Sequence, residues 1–188
     1  MWWEKAIWCA RTPDFVTFGP PRVLHDPGLN IIDAHIVRHD GLAYLFYKPD
    51  SHDETKHIHV ALSPKLEGPY QPLVTGITPV ITEGPQVIRR RDLGEWWLYY
   101  DHPWEKRYGL SRSTDLRSWS LVEGGQFPED ARHASIIPLT SYGLRLKGLQ
   151  VNLKIRADLQ SCAAERAGEN TGSALWSNKR RFPDCCGI

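Results

Sequence analysis

The feature that most constrains this chain is a repeat with a period of about fifty residues. Three segments end an extended run in a small polar turn followed by an aromatic: ARTPDFVTFGPP, ALSPKLEGPYQP and SRSTDLRSWSLV, with Thr12, Ser63 and Ser113 in register. Three others, NIIDAHIVRHDG, VITEGPQVIRRR and DARHASIIPLT, open a strand-like run with Asp33, Glu83 and His133. Residues 1–140 show no long helical periodicity, so a repeat of this length predicts propeller blades, each a four-stranded antiparallel sheet.

Each repeat divides into four strands. In the middle one, residues 84–90, EWWLYYD, RYGLSRS and the stretch around Trp119 follow one another, with Arg91-Asp92-Leu93-Gly94 as the first turn. The preceding repeat has DAHIVRH, a His39-Asp40-Gly41 hairpin turn, AYLFYK, HIHVALS and PYQPLV. AIWCART reads as a third strand, so the chain begins inside one blade, holds two whole ones and enters another at Arg132-His133. The expectation is an all-β fold: a partial five-bladed β-propeller over residues 1–140, about two complete blades with parts of two others. Its open blade edges are competent to self-associate. From residue 141 the pattern stops, and residues 141–188 read as an irregular, partly helical and poorly ordered or non-native tail.

Inner strands border the central channel of a propeller, so Asp33, Glu83 and His133 are expected to gather at one mouth. Two carboxylates brought to one pocket are the minimum equipment for hydrolysing a glycosidic bond. One of them must hold a proton near neutral pH, and a neighbouring carboxylate together with burial raises its pKa. His35 follows Asp33 by two residues and shares its strand face. Trp104, in the loop DHPWEKR, and Arg132 are candidate ligand contacts, whereas Trp97 is expected to pack between blades. Eight Trp and seven Tyr fit sheet packing and a sugar-stacking surface equally well.

The remaining features exclude more than they propose. A net charge of +1 argues against a nucleic-acid partner, and the run Arg89-Arg90-Arg91 reads as a solvated hairpin end. No apolar run is long enough to span a bilayer, so no membrane partner is expected. The cysteines Cys9, Cys162, Cys185 and Cys186 match neither a zinc spacing nor a disulfide framework. His52, His57 and His59 lack further ligands at metal spacing and read as solvated strand and loop. MWWEKAIW is no secretion signal, yet a chain that starts inside a blade leaves cytoplasmic and secreted locations both open.

Four stretches in order, Ile32-Asp33-Ala34, Glu83-Gly84-Pro85, Ser113-Thr114-Asp115-Leu116-Arg117-Ser118-Trp119 and Arg132-His133-Ala134-Ser135, resemble glycoside hydrolase family 43 over about residues 5–140. That family comprises five-bladed propellers acting on arabinose- and xylose-containing plant glycans. The resemblance implies Glu83 as general acid and Asp33 as the aspartate that orients it and tunes its pKa. It implies His133 as the channel histidine, near which a calcium or other metal ion can sit, although no cofactor is required. The family's general base is an aspartate far upstream of the second one, and neither Asp14 nor Asp26 matches it, so this chain is expected to be inactive alone. Two alternatives stay open: a non-catalytic carbohydrate-binding propeller fragment, and a related five-bladed fructan hydrolase or glycoside phosphorylase.

Overall fold

A computed structural model describes residues 6–128 and 132–136. The described residues form ten strands and no helix. β1 (Ile7–Cys9) and β2 (Arg22–His25) make an antiparallel pair. β3 (Ile31–His39), β4 (Leu42–Pro49), β5 (His59–Ser63) and β6 (Gln71–Val74) form one four-stranded meander. β7 (Glu83–Arg90), β8 (Glu95–His102), β9 (Arg107–Ser113) and β10 (Ser120–Leu121) form a second. The two meanders are whole blades, and β1 with β2 supplies the outer half of another. The short strand β2, from the stretch RVLH, has no counterpart in the sequence reading. The expected tail, 141–188, lies outside the described residues.

The middle strands β4 and β8 are buried along nearly their whole length. That burial on both faces is why LAYLFYKP and EWWLYYDH read as continuous apolar runs rather than alternating ones. Alternation still governs which seam each side chain enters. Trp96, Leu98 and Tyr100 of β8 meet Tyr44 and Phe46 of β4, with Ile58, Val60, Val87 and Leu116 filling the space between the blades. Ala43, Leu45 and Tyr47 face the other way, onto Leu24, Ile7 and Cys9 of the β1–β2 pair. Trp97 and Tyr99 face outward from the second blade against Tyr108, Leu110 and Ile136. The aromatic load is therefore mostly seam packing, and Trp97, at 9 % exposure, is buried as expected.

The repeat is visible in the loops at hydrogen-bond level. The Thr12 hydroxyl accepts from the amides of Asp14 and Phe15, and Asp14 Oδ1 accepts from those of Val16 and Thr17. One hundred and one residues on (113 − 12), Ser113 accepts from Asp115 and Leu116, and Asp115 Oδ1 from Arg117 and Ser118. Phe15 and Leu116 both take a left-handed backbone, φ 58° and 62°. The β3–β4 turn is closed by Asp40 and Gly41 at φ 48° and 77°, the pair of positive values that a two-residue hairpin matching strand twist requires.

Gly109 on β9 faces the Tyr100 ring so closely that an added Cβ collides with Cε2 and Cζ. Gly109→Ala is accordingly expected to destabilise the protein by about 1–3 kcal/mol through overpacking. Urea unfolding checks this, and a stability equal to that of the parent chain contradicts the packing described.

Candidate active site

Each acid of the repeat sits at the mouth end of an inner strand, where the ladder is interrupted. β3 shifts register between Ile32 and His35, and β7 shifts between Glu83 and Gln86. Such bulges re-aim the side chains beside them. Asp33 takes φ 58°, which is rare for a non-glycine residue, and Gly84 takes φ 64°. From there Asp33 Oδ2 accepts a hydrogen bond of 3.1 Å from the Gly84 amide of the next blade. Gly84 cannot be larger, because a Cβ there lies 3.2 Å from Asp101 Oδ1 as well as on a strained backbone.

Glu83, only 7 % exposed, is the hub. Its Oε2 lies 2.7 Å from Lys56 Nζ and 3.8 Å from Lys48 Nζ. Its Oε1 lies 3.0 Å from His133 Nε2 and accepts from Arg132 Nη2. Arg132 also donates through Nε to Asp101 Oδ2 at 2.9 Å, tying two carboxylates with one guanidinium. Asp101 pairs with Glu83 across β7 and β8 and is wholly buried, with no hydrogen-bond partner for Oδ1 among the described residues.

This environment reverses the expected titration of Glu83. Burial pushes its pKa up, but the Lys56 hydrogen bond, the His133 hydrogen bond and the charges of Lys56 and Lys48 together outweigh it, and the carboxyl is pulled down to about 2. The cations around Glu83 thus favour its carboxylate form, opposite in direction to the rise expected from a paired carboxylate. The carboxyl whose pKa rises is Asp101, where burial prevails over Arg132 and His133. Lys48 is lowered, chiefly by burial and secondarily by the Lys56 charge, against the pull of Asp33, Glu83 and Asp50.

Of the residues singled out from sequence, Asp33, Glu83, Arg132 and His133 are brought together. His35 lies nearer the middle of the seam, where its Nε2 donates to the Val87 carbonyl at 3.1 Å and joins the two blades. Trp104 is 63 % exposed on the β8–β9 turn, at the same end of the blade as Glu83 and Asp101. Of the histidines read as solvated, His52 is exposed, whereas His57 and His59 are half-buried with rings 4.9 Å apart and tilted, and His59 Nε2 is buried. Sequence reasoning missed Lys48, Lys56 and Asp101. Asp101 was discernible as the acid ending β8 opposite Glu83, and Lys48 as the charge ending an apolar strand. Lys56 carried no such signal.

A metal ion was the other expectation for this mouth. Asp33, Glu83 and His133 do offer ligand atoms within 4.8 Å of one another. They do not fit calcium, which takes about six to eight oxygen ligands. One of the three donors is an imidazole nitrogen, both Glu83 oxygens are already bonded to cationic or imidazole groups, and two ammonium groups flank Oε2.

Residues 3–144 match the family described as "Probable glycosyl hydrolase domain", a group related to glycoside hydrolase family 43, and the chain belongs to it. Among solved structures it is similar to a thermostable family-43 glycoside hydrolase, with 20% identity and a TM-score of 0.44, covering 64% of this chain and 48% of that one. A glycosyl hydrolase from Bacteroides ovatus shares 18% identity with a TM-score of 0.38, over 53% of this chain and 31% of that one. An endo-1,4-beta-xylanase from Bacteroides thetaiotaomicron shares 14% identity with a TM-score of 0.38, over 72% of each chain. The chain spans about half the length of the first of these structures. No curated protein matches it.

Two pH windows of stability follow from the titrations. His59 is lowered from 6.5 to about 4 by burial and by the neighbouring His57, so its neutral form is favoured in the folded state. Its contribution is lost as pH falls from 6.5 towards 4. Glu83, lowered from 4.5 to about 2, contributes above 4.5 and is lost as pH falls towards 2. Urea-unfolding free energies measured from pH 8 to pH 2.5 are expected to fall through both windows. Glu83→Gln should flatten the lower window and leave the upper one; an unchanged slope below pH 4.5 contradicts the charge network.

Proposed function

We propose that the cluster at the blade mouth is the proton-donor side of a centre that cleaves O-glycosidic bonds in arabinose- or xylose-containing plant polysaccharides. Glu83 delivers the proton to the leaving oxygen, and Asp33 is the positioning residue. The observation that carries this reading is the hydrogen bond from the Gly84 amide to Asp33 across the blade seam, which fixes the residue next to the acid. The separation also suits these roles. Asp33 and Glu83 offer carboxylate oxygens within 4.8 Å of each other, close enough for one carboxylate to act on the other.

Three carboxylates that could supply an opposing general base are engaged elsewhere. Asp14 is consumed by its own turn, Asp26 accepts from the Gly28 amide in an exposed loop, and Asp101 is bridged to Glu83 by Arg132. A small anion supplied from solution can attack the anomeric carbon directly, because it needs no base to remove a proton. Nitrophenyl α-L-arabinofuranoside and β-D-xyloside are expected to release nitrophenol slowly, faster with added azide, and about a hundred- to ten-thousandfold more slowly after Glu83→Gln. A chain that binds arabino- or xylo-oligosaccharides yet releases nothing with or without azide contradicts this reading and supports the non-catalytic one.

A further inference from the structure

One turn of the repeat occurs at both ends of the described fold, and its two copies differ in what covers them. After β9, the Ser113 and Asp115 hydrogen bonds hold Leu116 at φ 62°. That backbone drives the Leu116 side chain into the seam, 0 % exposed, among Tyr44, Phe46 and Ile58 of the preceding blade. Trp119 follows, edge-on to Phe46 with ring centroids 5.8 Å apart. After β1, Thr12 and Asp14 make the same hydrogen bonds and hold Phe15 at φ 58°. The residues in register with Leu116 and Trp119 are Phe15 and Phe18, 101 positions earlier in both cases (116 − 15, 119 − 18). Here the side chains face water: Phe15 is 86 % exposed, Val16 83 % and Phe18 59 %.

A left-handed backbone is unfavourable for a bulky residue, and at Leu116 the burial of the side chain offsets it. Phe15 carries the same backbone with its ring in water, so the offset has to come from a partner. The turn is also firmly built. The amides of Asp14 and Phe15 donate to Thr12, those of Val16 and Thr17 donate to Asp14, and the Gly19 amide closes the loop on the Arg11 carbonyl at 2.8 Å. An ordered turn that already presents its apolar groups loses little freedom on docking. Single exposed apolar side chains are ordinary, but three within four positions occur nowhere else among the described residues.

We propose that a second copy of this chain covers the Phe15–Phe18 turn, the two turns packing against each other across a two-fold axis. The alternative arrangement, in which the turn enters the seam face of another copy, is closed off. The positions equivalent to Tyr44 and Phe46 in the last whole blade are Trp97 and Tyr99, and both are buried, with Phe127 and Ile136 packed against that face. The apolar surface that a second copy leaves open is therefore the same turn, and a patch that meets itself across a two-fold stops at the dimer. A head-to-tail contact that does not close goes on adding copies. The turn after β9 lies at the end of its strand opposite the mouth, since β9 begins at Arg107 beside the Asp101–Glu83 pair and finishes at Ser113. By the same register the Phe15–Phe18 turn faces away from the acid cluster, and dimerisation leaves both mouths open.

Sedimentation equilibrium of the full chain tests this. The mass is expected to rise with concentration to twice that of the chain and to stop there. Phe15→Asn, which the left-handed backbone accepts, and Phe18→Ser are each expected to weaken the dimer at least about tenfold, because a two-fold contact counts every substitution twice. Leu93→Ser, on the exposed β7–β8 turn, should leave the dimer as it is. p-Benzoylphenylalanine placed at position 16 should, on irradiation, join two copies through residues 12–22 of each. A monomer at every concentration overturns the proposal, as does a dimer indifferent to both substitutions. Cross-links into residues 97–136, or masses that climb past the dimer, overturn the two-fold arrangement. Urea unfolding confirms that each variant is folded, and if Phe15→Asn is not, Phe18→Ser decides alone.

Discussion

The seam between consecutive blades is what everything at the mouth depends on. Tyr44 and Phe46 against Trp96, Leu98 and Tyr100 form a dry contact that fixes how far one blade is rotated from the next. Only with that rotation does the Asp33 carboxylate meet the Gly84 amide, and only then does Lys56 reach Glu83. The polar cluster is small and charged, and by itself such a cluster is weak evidence of stability. The apolar seam carries the cost of assembling it.

Within the cluster the charges are arranged around one carboxylate rather than one metal. Lys48, Lys56 and Arg132 are set against Asp33, Glu83 and Asp101, so the cluster, four of whose groups are buried, stays close to neutral. The distribution is uneven. Glu83 receives all three cations and is held ionised, while Asp101 shares one and is pushed the other way. Two carboxylates on facing residues of β7 and β8 therefore have environments that push their pKa values apart.

Much of this was legible in the sequence, because the repeat writes its geometry into the spacing. Thr12 and Ser113, or Asp33 and Glu83, could be aligned by eye, and the turns and bulges they form are the same. RYGLSRS, EWWLYYD and the Asp40-Gly41 turn were readable from alternation and turn chemistry. The unread parts are those that depend on contacts between repeats. Lys56 sits in a polar loop indistinguishable from solvent-facing sequence, and nothing local says it reaches 27 residues along the chain (83 − 56). The expected rise in the pKa of Glu83 failed for the same reason: two acids were counted, while the lysines packed around them were not. β2 was missed because RVLH is too short to show a period.

The most direct measurement of the central claim, that side chains one repeat apart converge on a single carboxylate, is a double-mutant cycle between Glu83 and Arg132. Urea-unfolding free energies of the parent, Glu83→Gln, Arg132→Met and the double variant give the coupling. Residues in one ion-pair network are expected to couple by about 0.5–3 kcal/mol. A coupling indistinguishable from zero, with all four proteins folded, contradicts the convergence.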